Sequence, residues 1–207
     1  MLVWDHNAYY HRLLLRQLPP RPARVLDVGC GTGVFAGKVA TCTKHVDALD
    51  RSPQMIDAAR ESTPANVHCV LADVMTHPLV PGAYDAIVSI STLHHLPLQL
   101  ALPRLAGALR PGGVFAAIAL PRVDLPREVP VEVAATLYHH LIGLALAAAR
   151  RSGASCSPVV SSHADMPMLD PTLTTRQVRQ QATAVLPGAT VRRLLLWRYL
   201  LVWTKPT

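Results

Sequence analysis

Three glycines and an aspartate lie close together near the amino end of the sequence, in the stretch VLDVGCGTGVF (residues 25–35). Gly29, Gly31 and Gly33 directly follow a short apolar run, and Asp27 stands two residues before the first glycine. Glycine lets backbone N–H groups approach a bound molecule closely, because no Cβ intervenes. A carboxylate at Asp27 suits a ligand with ammonium and sulfonium charge better than a pyrophosphate. The stretch therefore predicts a loop that binds a small, positively charged ligand.

The spacing of these glycines differs from that of dinucleotide-binding loops. Those loops follow the pattern GxGxxG/A, with an acidic residue about 20 positions further on that binds the ribose. Here Gly29 and Gly31 match the first two glycines, but Val34 occupies the third position and Gly33 comes one residue early. Asp50 would suit the ribose of either kind of ligand, so the glycine spacing and Asp27 argue against a dinucleotide.

The elements that would position this loop alternate between strand and helix. Short apolar, β-branched runs predict strands at residues 24–28, 45–49, 67–71, 84–90 and 114–120. Helical patterns cover residues 5–18, 53–61, 98–109 and 131–150, and another helix begins after residue 32. The segment RPGG closes the helix at 98–109. A last helix, capped by Thr174 or Thr175, ends at residue 185. Residues 152–171 are typical of a loop, and the carboxyl end predicts an antiparallel hairpin. This order indicates βαβ units around a parallel sheet.

Residues 24–120 resemble the class I S-adenosylmethionine-dependent methyltransferases of the small-molecule type. Four motifs carry the resemblance: VLDVGCGTG, VDALDRSPQM, LADV, and YDAIVSISTLHHLP followed by LRPGGVF. It implies an α/β fold with a Rossmann-like, seven-stranded, mostly parallel sheet, helices on both faces and a C-terminal antiparallel hairpin. The length of 207 residues fits a single domain, residues 1–207. We expect it to consist of a helical cap (1–20), a cofactor-binding core (21–120), a variable acceptor-side helix and loop (121–173) and a final helix and hairpin (174–207).

The same resemblance assigns a role to each motif in binding S-adenosyl-L-methionine. Gly29 and Gly31 would wrap the methionine part, and Asp27 would orient its amino group. Asp50 would accept both ribose hydroxyls, in charge-assisted hydrogen bonds of about 1.5 to 3 kcal/mol each. Near the adenine, Asp73 would accept from the amino group. The predicted cofactor-binding residues are Tyr10, His11, Asp27, Gly29, Cys30, Gly31, Asp50, Arg51, Met55, Ala72, Asp73, Val74 and Ser89.

Two histidines are the candidates for catalysis. Methyl transfer is an in-line displacement, so it needs a general base only when the acceptor loses a proton. His94 and His95 follow the fourth strand, where the family forms the floor of the acceptor pocket. In the segment WDHNAYYH, Tyr10 and His11 would contact the cofactor, and an aromatic face beside a sulfonium contributes about 0.5 to 2 kcal/mol. Three further histidines, His139, His140 and His163, lie on the acceptor side without an assigned role.

Absent motifs narrow the acceptor. The sequence after the fourth strand is SISTLHH, without the Asn/Asp-Pro-Pro-aromatic motif of enzymes that methylate amino groups of flipped bases, and without a Pro-Cys nucleophile. The region beyond residue 120 is rich in leucine and proline, which predicts a largely apolar pocket. We therefore expect transfer to O, N or C of a small organic or peptide-derived acceptor, as in specialised-metabolite biosynthesis.

Composition limits the other functional classes. Of 207 residues, 50% are apolar and 16% charged, values typical of a folded domain. The net charge of +7 is scattered along the chain, which argues against specific nucleic-acid binding. The four cysteines lack metal-ligand spacing, so we expect free thiols and no metal site. No secretory signal and no apolar run of about 20 residues is present, which predicts a cytoplasmic protein without a membrane segment.

Two other functions stay open at this point. The chain could bind S-adenosylmethionine without catalysis, as a scaffold or sensor, because intact cofactor motifs do not require intact chemistry. A nicotinamide-dependent oxidoreductase would use Asp50 but not Val34 or Asp27. The identity of the acceptor, the methylated atom and the oligomeric state are not encoded in these motifs.

Overall fold

The computed structural model of the chain describes residues 6–125, 127–151 and 170–207. Within these residues a seven-stranded sheet is flanked by six α-helices. The strands are β1 (Arg24–Val28), β2 (His45–Asp50), β3 (Val67–Leu71), β4 (Tyr84–Ile90), β5 (Leu109–Ala119), β6 (Thr190–Leu194) and β7 (Arg198–Thr204). The helices are α1 (His6–Leu15), α2 (Val34–Ala40), α3 (Pro53–Ser62), α4 (Leu98–Ala108), α5 (Val129–Arg151) and α6 (Thr175–Val185).

The sheet has the strand order β3-β2-β1-β4-β5-β7-β6. β1 to β5 run parallel, and β7 is antiparallel to both β5 and β6. The order reverses direction at β1, so the carboxyl ends of β1 and β4 flank a crevice, which is where open α/β sheets bind ligands. The predicted Rossmann-like, mostly parallel sheet with a C-terminal antiparallel hairpin is confirmed.

Each face of the sheet is covered by its own set of helices. On one face α4 and α6 bury apolar side chains such as Leu102 and Val178 against the strands. On the other face α1, α2 and α3 do the same with Leu14, Phe35 and Ile56. Burial of each such side chain contributes about 1.5 to 3 kcal/mol, so the sheet is fixed from both sides and its carboxyl edge is a rigid platform.

The element boundaries mostly follow the sequence prediction, with two differences. Helix α1 ends at Leu15 rather than at residue 18, and residue 5, where the predicted helix begins, lies outside the described residues. Strand β5 begins at Leu109 rather than at residue 114, so the RPGG segment belongs to the strand and does not precede it. Gly112, at φ +73°, donates its N–H to Lys205 O, and the register of β5 against β4 shifts in this segment.

Some of the remaining structural predictions concern described residues, and others concern residues outside the described ranges. Thr174 caps α6 and forms a capping box with Gln177, as predicted. Cys30, Cys42 and Cys69 are free thiols, whereas the fourth cysteine and most of the predicted loop (residues 152–169) lie outside the described residues. In the described ranges, no helix combines the length and the apolar character needed to span a bilayer.

A buried carboxylate joins the amino ends of β1, β4 and β5. Asp85 Oδ2 accepts hydrogen bonds from Ala23 N at 2.7 Å and Arg24 N at 2.8 Å. Its Oδ1 pairs with Arg110 Nε at 2.5 Å. Asp85 is buried, so the two backbone N–H groups have no easy replacement for it. This contact fixes the start of β1 and hence the position of the glycine loop at its other end.

We predict that Asp85→Ala lowers the free energy of unfolding by about 2 to 4 kcal/mol, because two backbone donors lose their acceptor. Asp85→Asn keeps one oxygen and should cost less. Urea unfolding followed by circular dichroism measures both changes. Asp57→Ala is the control, since Asp57 only pairs with Arg60 at the surface. Equal midpoints for the Asp85 and Asp57 variants would contradict the prediction.

Candidate active site

The predicted site residues meet at the carboxyl edge of four neighbouring strands. The glycine loop follows β1, and Asp50 is the last residue of β2. Asp73 lies two residues beyond β3, while His94 and His95 form a short 3₁₀ turn (Leu93–His95) just after β4. The topology, with β1 between β2 and β4, brings these segments to one crevice.

The glycine loop is closely packed at Gly29 and has open space at Gly31. Gly29, Gly31 and Gly33 have φ values of +73°, +55° and +78°. A Cβ at Gly29 would lie 1.9 Å from Thr92 Oγ1, so the protein itself requires glycine there. A Cβ at Gly31 would meet no atom within 4 Å. Cys30 between them donates its N–H to Leu49 O at 2.9 Å, so it contributes backbone structure to the loop.

Asp50 holds the loop in place. Its Oδ2 accepts from Gly31 N at 2.9 Å, and its Oδ1 accepts from Ser52 N at 2.9 Å. The carboxylate is buried, yet each oxygen keeps a second lone pair beyond these bonds. Asp50 can therefore fix the backbone and also accept hydrogen bonds from a ribose diol.

Asp27 is a buried carboxyl group with an unsatisfied oxygen. Only 1% of the residue is exposed, and Oδ2 has no hydrogen-bond partner among the described residues. Burial, and secondly the charge of Asp50, raise the pKa of Asp27 to about 7. Between about pH 4 and pH 7 the folded chain keeps a proton on Asp27 that the unfolded chain has released. The free energy of unfolding therefore falls as the pH rises through this range.

These two features fit a cationic ligand. An unsatisfied buried carboxylate oxygen is costly, and an ammonium group beside it would supply the missing donor. The open space at Gly31 gives room for that ligand next to the loop. The residues present therefore fit the methionine part of S-adenosylmethionine.

The segment after β3 forms the far side of the crevice. Asp73 is exposed, and its Oδ1 accepts from Met75 N at 2.8 Å. Val74 is buried in the core, and Ala72 N donates to Asp50 O at 2.9 Å. Met55 is buried in the first turn of α3. Of these residues, the resemblance assigns Asp73 to the adenine amino group, and the others are among the predicted cofactor-binding residues.

The two histidines after β4 form a close pair. Their ring centroids are 3.9 Å apart, and neither Nδ1 atom has a hydrogen-bond partner among the described residues. Burial, the neighbouring His95 and Arg198 lower the pKa of His94 to about 3. Burial and the exposed Arg51 lower the pKa of His95. Lowered pKa values favour the neutral rings, which can accept a hydrogen bond from a ligand.

A cluster of three hydrogen-bonded polar residues near this pair was not predicted from the sequence. Ser91, at φ +54°, donates its hydroxyl to Asn7 Oδ1 at 2.7 Å, and Arg198 Nη2 donates to the same oxygen at 3.2 Å. The three residues come from the end of β4, the start of α1 and the start of β7. Asn7 and Arg198 are 191 positions apart, so only the topology of the finished sheet could have revealed the group.

Three predicted cofactor contacts have partners within the fold. Tyr10 donates its hydroxyl to a carbonyl of the turn between β6 and β7, and burial raises its pKa to about 12. His11 Nδ1 lies 2.8 Å from Lys38 Nζ, at the contact between α1 and α2. Ser89 is fully buried and donates to Val28 O at 2.9 Å. Contact of Tyr10, His11 and Ser89 with the cofactor stays a prediction.

Helix α5 packs against the turn between β6 and β7. Its Glu132 accepts from Arg193 at 2.5 Å and from Trp197 Nε1 at 2.6 Å, which ties the helix to the turn between β6 and β7. His139 lies beside Trp197, with ring centroids 6.0 Å apart. His140 Nδ1 is 2.7 Å from a backbone carbonyl of its own helix, and His163 lies outside the described residues. Among the described residues, no three His, Cys, Asp or Glu side chains are placed to hold a metal ion.

Comparison with known proteins identifies a family. Residues 25–113 match a family model described as a methyltransferase domain. An uncharacterized methyltransferase of Mycobacterium tuberculosis is 32% identical over 205 residues, which cover 98% of each chain. A malonyl-[acyl-carrier protein] O-methyltransferase of Enterobacter lignolyticus is 38% identical over 127 residues, which cover 59% of this chain and 50% of the relative.

A solved structure has the same fold over nearly the whole chain. The N-methyltransferase NodS of Bradyrhizobium japonicum, in complex with S-adenosyl-L-homocysteine, superposes with a TM-score of 0.63 at 17% identity. The match covers 98% of this chain and 90% of NodS. The sequence relatives are methyltransferases, and they do not support a nicotinamide-dependent oxidoreductase.

We predict that S-adenosylhomocysteine binds about tenfold more tightly at pH 8 than at pH 6. Its ammonium group favours ionised Asp27, which must lose a proton on binding below its pKa of about 7. Calorimetry in two buffers of different ionisation enthalpy measures both the affinity and the released proton. Asp27→Asn should bind weakly and without this pH dependence, and Asp57→Asn should behave like the parent protein. A flat profile in the parent protein would contradict the assignment.

Proposed function

The chain belongs to the class I S-adenosylmethionine-dependent methyltransferases, and on this premise we propose that it methylates O, N or C of a small organic or peptide-derived acceptor. The observation that carries the proposal is the pair His94 and His95, which places two histidine rings with lowered pKa values at the crevice that holds the cofactor loop. When bound, the cofactor supplies an electrophilic methyl group on a sulfonium sulfur.

The cofactor would be held by the three acidic strand ends. Asp27 would pair with the ammonium group through the oxygen that has no partner, and Asp50 would accept from the ribose hydroxyls while it keeps Gly31 in place. Asp73 would accept from the adenine amino group. Each contact uses a carboxylate that the fold already orients, so little side-chain entropy is lost on binding.

The acceptor would be oriented by a neutral histidine. With a pKa of about 3, His94 is a poor proton acceptor at neutral pH but a good hydrogen-bond acceptor. Its Nδ1 atom is buried without a partner among the described residues, so an acceptor O–H or N–H group would satisfy it. This contact would aim the lone pair of the acceptor at the methyl carbon, and positioning accounts for much of the rate in such displacements.

Exposed apolar side chains beyond β5 and on α5 support an acceptor with apolar parts. Val123 and Leu125, which follow the carboxyl end of β5, are exposed, and so is Leu137 on α5. Apolar side chains with a few polar groups are the usual lining of small-molecule sites. The similar proteins include an O-methyltransferase and an N-methyltransferase, so the atom that receives the methyl group is left open in the proposal. A role in specialised-metabolite biosynthesis and a cytoplasmic location remain predictions from the sequence.

We predict that Asp50→Ala weakens the binding of S-adenosylhomocysteine by tenfold or more, since the ribose loses its acceptor and the loop loses the bond to Gly31. Asp50→Asn keeps the shape and should have an intermediate affinity. Titration calorimetry at one pH compares the three proteins. An unchanged dissociation constant in Asp50→Ala would refute the predicted ribose contact.

We predict that His94→Phe lowers kcat about 100-fold and leaves cofactor affinity within twofold. The phenyl ring keeps an aromatic side chain at this position but has no nitrogen that can accept a hydrogen bond. His94→Gln should retain part of the activity. The assay measures transfer of labelled methyl groups from S-adenosylmethionine to a library of small organic acceptors. In the parent protein kcat should show no acid limb near pH 6.5, since His94 stays neutral there.

The same assay separates catalysis from the scaffold function. Tight cofactor binding, with no labelled product from the library or from extracts of the source cells, would favour a non-catalytic binding protein. Full activity of His94→Phe would instead keep the enzyme and exclude the orienting role of His94.

A further inference from the structure

The segment after β3 is a compact turn held by its own backbone. Thr76 N and His77 N both donate to Asp73 O, at 3.0 and 2.8 Å. Asp73 Oδ1 accepts from Met75 N at 2.8 Å. These bonds fold residues 73–77 onto themselves, but they do not fix the turn relative to the sheet.

The buried side chain of Val74 connects the turn to the core, and one arginine on a neighbouring helix adds a polar connection. Arg104 Nε donates to Val74 O at 2.8 Å, and its Nη2 donates to His77 O. The guanidinium therefore bridges two carbonyls of the turn, one near each end. Arg104 projects from α4 between Leu102 and Leu105, which are almost fully buried against the sheet. The turn is thus tied to one of the most firmly packed helices of the fold.

We propose that Arg104 is a positioning residue for adenine recognition. It holds residues 73–77 so that the Asp73 carboxylate and the backbone at Val74 present a preformed edge to the base. The planar guanidinium has donors in a rigid fork, which is why one side chain can serve two carbonyls. The inference rests on the proposed function, because it assumes that Asp73 accepts from the adenine amino group.

Loss of the bridge has a specific consequence for binding. Without Arg104 the turn keeps its internal hydrogen bonds and the buried side chain of Val74, but the carbonyls of Val74 and His77 lose their link to α4 and the turn is held less firmly. The cofactor must then order the turn as it binds, and affinity falls by that cost. A ligand that makes no hydrogen bond with Asp73 gains less from the fixed turn, so it should lose less affinity.

The test compares two ligands and three arginine variants of the full chain by calorimetry. Arg104→Gln should weaken S-adenosylhomocysteine about tenfold, and should weaken S-inosylhomocysteine, in which an oxygen replaces the adenine amino group, less than threefold. Arg104→Lys can reach only one carbonyl at a time and should lie between. In turnover assays the KM for S-adenosylmethionine should rise while kcat is kept.

Arg179→Gln is the matched control, because Arg179 also donates to a backbone carbonyl from a helix, but at Val191 on the edge strand β6. Its cofactor affinity should equal that of the parent protein. Thermal unfolding of each variant checks that the fold is intact. Unchanged affinity in Arg104→Gln, an equal loss for both ligands, or the same loss in Arg179→Gln would overturn the positioning role.

A second variant separates this proposal from the function beneath it. If Asp73→Ala weakens S-adenosylhomocysteine but Arg104→Gln does not, the adenine contact stands and the positioning role fails. If neither variant weakens binding, the assignment of Asp73 to the adenine also fails. If both weaken it, the double variant should lose less than the sum, because both changes act on one contact.

Discussion

Two buried carboxylates, Asp27 and Asp50, lie at the ends of adjacent strands, and their mutual repulsion must be offset by nearby donors. Backbone N–H groups stabilise one of the two carboxylates, because Gly31 N and Ser52 N donate hydrogen bonds to Asp50. No described group does the same for Asp27 Oδ2, and the pKa of Asp27 is raised to about 7. The glycine loop follows Asp27 directly on β1, and Asp50 is the last residue of the neighbouring strand β2. The ammonium group of a cationic ligand would supply a donor to Asp27 Oδ2, so the cost of burying this oxygen without a partner would be relieved on binding.

The rest of the fold keeps these groups fixed. Asp85 anchors the opposite end of β1. Helices pack on both faces of the sheet and restrict movement of the strands that carry the loop. Thr92 packs against Gly29 and links the cofactor loop to the turn that carries His94 and His95. The cofactor side and the acceptor side are therefore parts of one rigid edge. Arg104 has a similar role on the adenine side, where it adds two hydrogen bonds to a short turn that is also held by its own hydrogen bonds and by the buried side chain of Val74.

The sequence allowed the cofactor side to be predicted because local rules determine it. Strand ends, glycines and acidic residues occur in one order along the chain, and parallel strands bring them to one edge. The acceptor side depends on contacts between distant residues, such as Asn7 with Arg198, which periodicity cannot reveal. The RPGG segment shows a second limit. Turn-forming residues predicted a break before β5, but pairing with the carboxyl end of β7 drew them into the strand. Arg104 was missed for a similar reason, since its partners are backbone carbonyls and leave no pattern in the side chains.

The most direct test of this account is the carboxyl ionisation of Asp27, followed by NMR in protein with ¹³C-labelled aspartate, with and without S-adenosylhomocysteine. The account predicts that the free protein titrates Asp27 near pH 7 and that the ligand lowers this pKa, because its ammonium group satisfies the buried oxygen. An Asp27 signal whose titration is the same with and without saturating ligand would contradict the account.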